Sequence, residues 1–100
     1  MFVSNISFQV DPAIETNWLV WVKEHFIPSC IATSCFINHQ LYQLDLADDQ
    51  PPTYTLQLFS NTAADLANFQ EKHAETALLS ISTQWGEQCF HFNTSMKIVN

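Results

Sequence analysis

The sequence predicts an α+β domain of the ferredoxin-like type, in which a four-stranded antiparallel sheet carries two helices on one face. Hydrophobic residues first repeat every second position, then every third or fourth, and the segments follow as strand, helix, strand, strand, helix, strand. That order is typical of the split βαβ arrangement. The 100 residues can supply one hydrophobic core, so we assign residues 1–100 to a single ferredoxin-like α+β domain.

The first strand and helix are separated by a clear boundary. Phe2, Ile6 and Phe8 alternate with polar residues, which indicates a half-buried strand. Asp11 and Pro12 then end the strand and open helix one, because aspartate caps helices and proline suits their first position. The apolar stripe of helix one consists of Ile14, Trp18, Trp21, Val22 and His25.

The middle of the chain contains a proline restart, two strands and one acidic loop. Pro28 is expected to break or restart helix one, with a short helical turn through Cys30–Thr33 after it. Strand two is predicted from Cys35 to Leu46, with the imperfect alternation of a bulged or edge strand. Residues 47–52 form a charged loop that ends in two prolines, and strand three spans Tyr54 to Phe59.

The second half repeats the helix-then-strand pattern. Asn61 or Thr62 caps helix two, whose stripe is expected to kink near His73 and to end at Gly86. The last strand alternates aromatic and polar residues. Its two predicted faces are Phe90, Phe92, Met96 and Ile98 on one side, and Cys89, His91, Asn93, Ser95 and Lys97 on the other.

Right-handed crossovers place strands one and three at the centre of the sheet, flanked by strands four and two. The apolar residues of each strand are expected beneath the two helices. They are Phe2, Ile6, Phe8, Leu56, Leu58, Phe90, Phe92, Met96 and Ile98.

The opposite sheet face is predicted to hold uncharged polar residues, with Lys97 near its end as the one charge. Such a face is typical of a covered surface, and two-fold dimers are the commonest oligomers. We therefore expect a homodimer of the dimeric α+β barrel type, with a small-molecule ligand possible between the subunits. A monomer with a solvated face is the alternative. The dimer or ligand face is assigned Asn5, Ser7, His39, Thr55, Gln57, Phe59 and Asn93, together with apolar Val3, Ile37 and Leu41.

Composition excludes several classes of partner. The net charge is −7, with three lysines and no arginine, so neither nucleic acid nor an anionic membrane is an expected partner. Residues 1–10 do not have the pattern of a secretory signal, which predicts a cytoplasmic protein with three reduced cysteines. Cysteine and histidine lack the usual zinc-ligand spacings, so we expect no metal and no cofactor.

Short motifs along nearly the whole chain resemble one bacterial family. They include Val10-Asp11-Pro12, Trp18-Leu19, His25-Phe26-Ile27-Pro28, Asp65-Leu66 and His73-Ala74. The family is domain of unknown function 4286. The resemblance implies a ferredoxin-like, dimeric α+β barrel and brings no established reaction. In that family the second strand often bears arginine, whereas this chain has His39 and Gln43 there. The departure puts an anion-binding role for that strand in doubt.

Three residues are candidates for catalysis. His73 on the stripe of helix two can serve as a general base or haem ligand, but a hydrogen-bonded histidine at the core edge is the simpler interpretation. Asn5 and His91 complete an alternative hypothesis, a cofactor-free oxygenase, isomerase or haem-handling barrel enzyme. The preferred hypothesis is a non-enzymatic small homodimer of unknown role, with a small or apolar ligand possible between its subunits. Whether the protein is an enzyme stays open at this level.

Overall fold

A computed structural model describes all residues, 1–100. The chain forms four strands and four α-helical segments in the predicted order. They are β1 (Phe2–Val10), α1 (Glu15–Trp21), α2 (Ile27–Ile31), β2 (Asn38–Gln43), β3 (Thr53–Ser60), α3 (Ala63–Lys72), α4 (Ala74–Trp85) and β4 (Cys89–Lys97). Strand two is therefore shorter than the predicted Cys35–Leu46.

The sheet has the strand order β2-β3-β1-β4, and every neighbouring pair is antiparallel. Strands one and three are central and strands two and four are edges, as the crossover rule predicted. The helices lie on one face. The result is an α+β fold with one four-stranded antiparallel sheet.

The first helical region adjusts its hydrogen bonding around a proline. The Ala13 amide donates to Asp11 Oδ1 at 2.9 Å, which caps a 3₁₀ turn over Pro12–Ile14. Residues Val22–Phe26 then form a π-helical segment between α1 and α2. Pro28 is the second residue of α2, two positions after this segment ends. Because proline lacks an amide donor and its ring crowds the preceding turn, the wider π turn lets the helix restart instead of breaking.

The second helical region bends where the stripe predicted a kink. Thr62 Oγ1 accepts from the Asp65 amide at 3.1 Å and begins α3. His73 separates α3 from α4 with the non-helical dihedrals φ −127° and ψ −28°. Gly86 ends α4 at φ 58°, a conformation that favours glycine because other residues carry a Cβ.

The core lies between the helices and one face of the sheet. Phe8 is fully buried and meets the Trp18 ring edge-to-face at a centroid distance of 5.1 Å. It meets Phe26 in the same way at 5.8 Å. Such pairs contribute about 0.5–1.5 kcal/mol beyond the burial of their area. Leu56 and Ile81 belong to the same buried cluster, so the core joins the central strands to both helical regions.

No helix in this structure has the length and apolar character needed to cross a membrane.

Candidate functional site: the open face of the sheet

The sheet face away from the helices, which we call the open face, is defined by the register of the strands. Residues paired across neighbouring strands share a face, and faces alternate along each strand. The side chains therefore form four rows across the sheet, in the order β2, β3, β1, β4. The rows are Asn38–Phe59–Val3–Met96, Gln40–Gln57–Asn5–Thr94, Tyr42–Thr55–Ser7–Phe92, and Thr53–Gln9–Phe90.

None of these open-face positions carries a charged residue. The prediction that Lys97 lies on this face is wrong. Lys97 pairs with Phe2, two positions before the buried Ser4, so it belongs to the helix-covered face. Although the chain has ten carboxylates, the paired residues on one whole side of its sheet include no charged side chain.

Strand β4 places its apolar residues on the open face. Gln9 pairs with Phe90, Ser7 with Phe92 and Val3 with Met96. Phe90 and Phe92 are 58% and 66% exposed, and Met96 is 41% exposed. The prediction that Phe90, Phe92, Met96 and Ile98 lie beneath the helices is wrong. The pairing of β4 with β1 turns the apolar side of this edge strand away from the helices. Of the predicted core, Phe2, Ile6, Phe8, Leu56 and Leu58 do lie on the helix-covered face.

The same inversion moves several polar residues away from the open face. His91 pairs with the buried Phe8 and Asn93 with the buried Ile6, so both lie on the helix-covered face. On the other edge strand, His39 pairs with the buried Leu58 and also faces the helices. Leu41, placed on the open face from the sequence, pairs with Leu56 and likewise belongs to the covered side.

The predicted face residues of the two central strands do share the open face: Val3, Asn5, Ser7, Thr55, Gln57 and Phe59. Ile37, also predicted on this face, lies before the start of β2 and outside the paired strands. Ser7 Oγ and Thr55 Oγ1 are 3.3 Å apart, within hydrogen-bond distance. Asn5 and Gln57 form a directly opposed pair. The centre of the open face therefore offers hydroxyl and amide groups that both donate and accept hydrogen bonds.

A cavity of about 280 Å³ lies at the end of the sheet where β1 ends and β4 begins. Gln9 and Phe90 connect it to the open face, and Asp11 and Glu87 supply two carboxylates. Two of its lining residues are joined through the backbone, since the Asp11 amide donates to the Gln88 carbonyl at 2.9 Å. The cavity therefore joins an aromatic surface to an acidic mouth.

A second cleft, of about 290 Å³, lies in the helical layer and contains His73. His73 packs against Phe69 at a ring-centroid distance of 6.3 Å. Three of the cleft's hydroxyl groups donate to backbone carbonyls of their own helices: Ser29 to Phe26, Thr33 to Cys30, and Ser80 to Ala77. The protons of these three hydroxyls are therefore engaged in local structure.

The enzyme hypothesis required Asn5 and a histidine to act on one substrate. Asn5 lies on the open face, whereas His73 lines the cleft in the helical layer and His91 faces the helices. The Nδ1 atom of His91 is buried without a hydrogen-bond partner. Because the sheet separates Asn5 from both histidines, this structure does not bring the proposed acid–base histidine and the orienting Asn5 together.

The three cysteines are buried thiols. Burial raises the pKa of Cys30 to about 12, although a hydrogen bond with Ser29 lowers it in part. Burial also raises the pKa of Cys89 to about 11, and Trp18 opposes that rise. Because the thiolate is the reactive form, neither residue is suited to nucleophilic chemistry near neutral pH. The structure contains no cluster of three or more histidine, cysteine, aspartate or glutamate residues arranged to hold a metal.

The family match covers nearly all of the residues that form this fold. Residues 1–99 match the model of the family described as "Domain of unknown function (DUF4286)". The chain belongs to this family. Membership brings no reaction to this DUF4286 protein, and a search of curated proteins finds no match to its sequence.

Two solved structures share the fold at low identity. A protein titled an "ethyl tert-butyl ether d (ethd) family protein", from Bacillus halodurans C-125, has a TM-score of 0.72 at 7% identity, covering 99% of this chain and 100% of that one. HapK from Hahella chejuensis also has a TM-score of 0.72, at 11% identity, covering 99% of this chain and 93% of that one. At such identities the likeness shows the α+β fold alone.

Proposed function

We propose that this DUF4286 protein is a homodimer of the ferredoxin-like, dimeric α+β barrel type, which binds a small, mainly apolar ligand between its subunits. The observation that carries the proposal is the charge-free open face with its exposed aromatic edge. Large exposed apolar patches mark interaction sites on soluble proteins. The open face joins Phe90, Phe92 and Met96 on β4 to Tyr42 on β2.

A second copy of the chain is the partner best suited to this face. Each molecule carries a net charge of −7, so two copies repel each other over most of their surfaces. The open face is the one side of the sheet where two copies meet without placing carboxylates against carboxylates. Depletion of charge with retained aromatic and amide groups is also the composition of interface cores.

The central rows favour a ligand between the two faces over a fully packed interface. Asn5, Ser7, Thr55 and Gln57 are only half-buried in the single chain. Their amides and hydroxyls need hydrogen-bond partners when a second sheet covers them, because buried unpaired polar groups are costly. A small ligand with one or two polar groups and an apolar body provides such partners. One structural neighbour is titled for a family named after a small ether, a compound of this size and polarity.

Sedimentation velocity of matched variants tests the dimer. Phe92→Glu places a carboxylate on the open face, whereas Leu79→Glu places one on the outer side of α4, where Leu79 is 62% exposed. We expect the parent and Leu79→Glu to sediment as dimers and Phe92→Glu to weaken dimerisation by about tenfold or more, since buried interface aromatics dominate binding energy. Circular dichroism confirms that both variants are folded. A monomeric parent, or an unchanged Phe92→Glu dimer, contradicts the proposal.

Nile red, an uncharged dye whose emission shifts in apolar surroundings, tests the ligand space. The expected result is a blue shift with the parent and Leu79→Glu, and its loss with Phe92→Glu. A parent that dimerises without shifting the dye has a filled interior, and this outcome removes the ligand part of the proposal while leaving the dimer.

A further inference from the structure

We infer that the two subunits meet head to tail, and that each acidic-end cavity is completed by the partner subunit into one of two equivalent ligand sites. This inference rests on the proposed dimer. Two sheets packed face to face are related by a two-fold axis that lies between them. If the axis runs parallel to the strands, the same ends of the two sheets lie together, which we call head to head. If the axis runs across the strands, opposite ends lie together, which we call head to tail.

Charge is segregated along the strand direction. Val10 donates to Pro52 at 2.8 Å and Asp11 to Gln88 at 2.9 Å, so the β1 end, the β2–β3 loop and the β4 start form one end of the sheet. This acidic end carries six of the ten carboxylates: Asp11, Glu15, Asp45, Asp48, Asp49 and Glu87. Lys97 and Asp65 are the charged side chains at the far end. A head-to-head pair superimposes the two acidic ends, whereas a head-to-tail pair separates them.

Polarity is segregated across the strands, which is an independent observation. The open face of β4 presents Phe90, Phe92 and Met96, and that of β2 presents Asn38, Gln40 and Tyr42. An axis along the strands lays the apolar edge β4 over the partner's amide-rich β2. An axis across the strands lays β4 over β4 and β2 over β2, so apolar side chains meet apolar ones. Packed sheets differ by about 30° in strand direction, which preserves these matches.

The head-to-tail arrangement has a consequence for the acidic-end cavity. The rows on the open face are equally spaced, and with the two-fold axis midway along them the row of Gln9 and Phe90 lies opposite the row that contains Val3 and Met96 in the partner subunit. Met96 of the partner subunit then forms an apolar wall over Phe90. The cavity of about 280 Å³ gains a second side that one chain cannot provide.

The same cavity defines the class of ligand. Phe90 of one subunit, together with Met96 of the partner subunit, accommodates an aromatic or aliphatic body, since contacts between a thioether and an aromatic ring are favourable. Asp11 and Glu87 line the mouth, and no lysine or arginine lines the cavity. An uncharged or cationic ligand is therefore accepted and an anionic one is repelled.

Cysteine cross-linking separates the two arrangements. Thr94 and Gln40 are exposed, lie in the same row of the open face and belong to opposite edge strands. With strands about 4.8 Å apart and sheets about 10 Å apart, head-to-tail packing lays Thr94 over the same strand of the partner, one row from Thr94 of the partner subunit, whereas head-to-head packing lays it over the partner's Gln40. A short bismaleimide should therefore cross-link Thr94→Cys with itself and Gln40→Cys with itself. The buried native cysteines make the parent an unreactive control.

The outcomes distinguish this inference from the proposed dimer. The two variants are also mixed and cross-linked together. If Thr94→Cys cross-links only to Gln40→Cys and neither variant cross-links with itself, the head-to-tail arrangement is wrong, but the proposed dimer is not contradicted. A parent that is monomeric in sedimentation overturns both. Glu24→Cys, on the exposed side of the helical layer, should give no cross-link and controls for random collision.

Three ligands of equal size test the ligand class: benzylamine, benzyl alcohol and benzoate. Saturation-transfer NMR should detect binding of the first two and not of benzoate. Glu87→Gln should weaken benzylamine binding several-fold and leave benzyl alcohol unchanged, while Glu24→Gln should alter neither. Binding of benzoate equal to that of benzylamine overturns the ligand class.

Discussion

The two faces of the sheet are built from the same strands but serve different purposes. On the helix-covered face, Phe8, Leu56 and Leu58 are fully buried and belong to one cluster with Trp18 and Phe26. On the open face, Tyr42, Phe90 and Phe92 are exposed, and the two middle rows of the central strands carry uncharged polar residues. The first face holds the monomer together. The second leaves aromatic side chains exposed in the single chain, and the proposed dimer rests on these residues.

The largest expected difference comes from truncating one aromatic residue on each face. Phe8→Ala should lower the free energy of unfolding by about 3–5 kcal/mol, because it opens a cavity in a packed core. Phe92→Ala should change the stability of the monomer by about 0.5 kcal/mol or less. Urea unfolding at several protein concentrations measures both. The Phe8→Ala loss should be the same at every concentration, whereas Phe92→Ala should abolish the concentration dependence expected of a dimer. Equal losses at low concentration contradict the division between the faces.

Alkaline pH should weaken the helix-covered side selectively. Burial raises the pKa of Cys30 to about 12 and of Cys89 to about 11, and burial with the neighbouring Glu15 raises the pKa of Tyr54 to about 12. Tyr54 Oη donates to Glu15 Oε2 at 2.5 Å. These groups are neutral when protonated, and their pKa values are higher folded than unfolded. Their stabilisation is therefore complete below the unfolded values and is lost as pH rises through about 9 to 12.

Thermal unfolding measured from pH 7 to pH 11 tests this expectation. The melting temperature should hold below about pH 9 and then fall. Dimerisation should not change between pH 7 and pH 9, since the open face carries no charged residue. Cys30→Ala, which removes one of the titrating groups, should fall less steeply above pH 9 than the parent. An equally steep fall would assign the alkaline loss to other groups.

The smallest expected effect concerns the hydrogen bond between Ser7 and Thr55 on the open face. Thr55→Val keeps the shape of the side chain and removes the hydroxyl, so the free energy of unfolding should fall by about 0.5–1.5 kcal/mol at most. Thr94→Val, one row away on the same face and without a hydrogen bond from its hydroxyl, is the matched control for β-branched shape. If Thr55→Val instead abolishes ligand binding while leaving stability unchanged, the hydroxyl belongs to the binding surface, which sharpens the contrast between the faces.

The sequence predicts the order of elements because each boundary has a local cause. Asp11 caps the first helical turn, His73 interrupts the second helical region and Gly86 ends it. The strand order also follows, since crossover handedness is general. These features depend on short segments and on chirality, and neither needs knowledge of the partner strand.

The orientation of the edge strands could not be predicted in the same way. A period of two separates two faces but does not say which one the helices cover. We assigned the apolar side of β4 to the core, yet the Val10–Cys89 pair fixes the opposite orientation. The residue that indicates the correct orientation of β4 is Cys89. Its side chain is buried at 4% exposure, and His91 and Asn93 lie on the same face of the strand. The predicted face placement was thus confirmed for the central strands and wrong for both edge strands.

The unpaired side of β4 has a consequence for the protein in solution. This strand hydrogen-bonds to β1 on one side only, and its sole charged residue is Lys97 at its end. Natural edge strands usually carry charge, proline or a bulge, because a bare edge is a template for adding further strands. Here long-range repulsion from the net charge of −7 supplies the protection instead. As the pH approaches the isoelectric point of about 4.6, that protection disappears, and fibrillar growth should begin along β4.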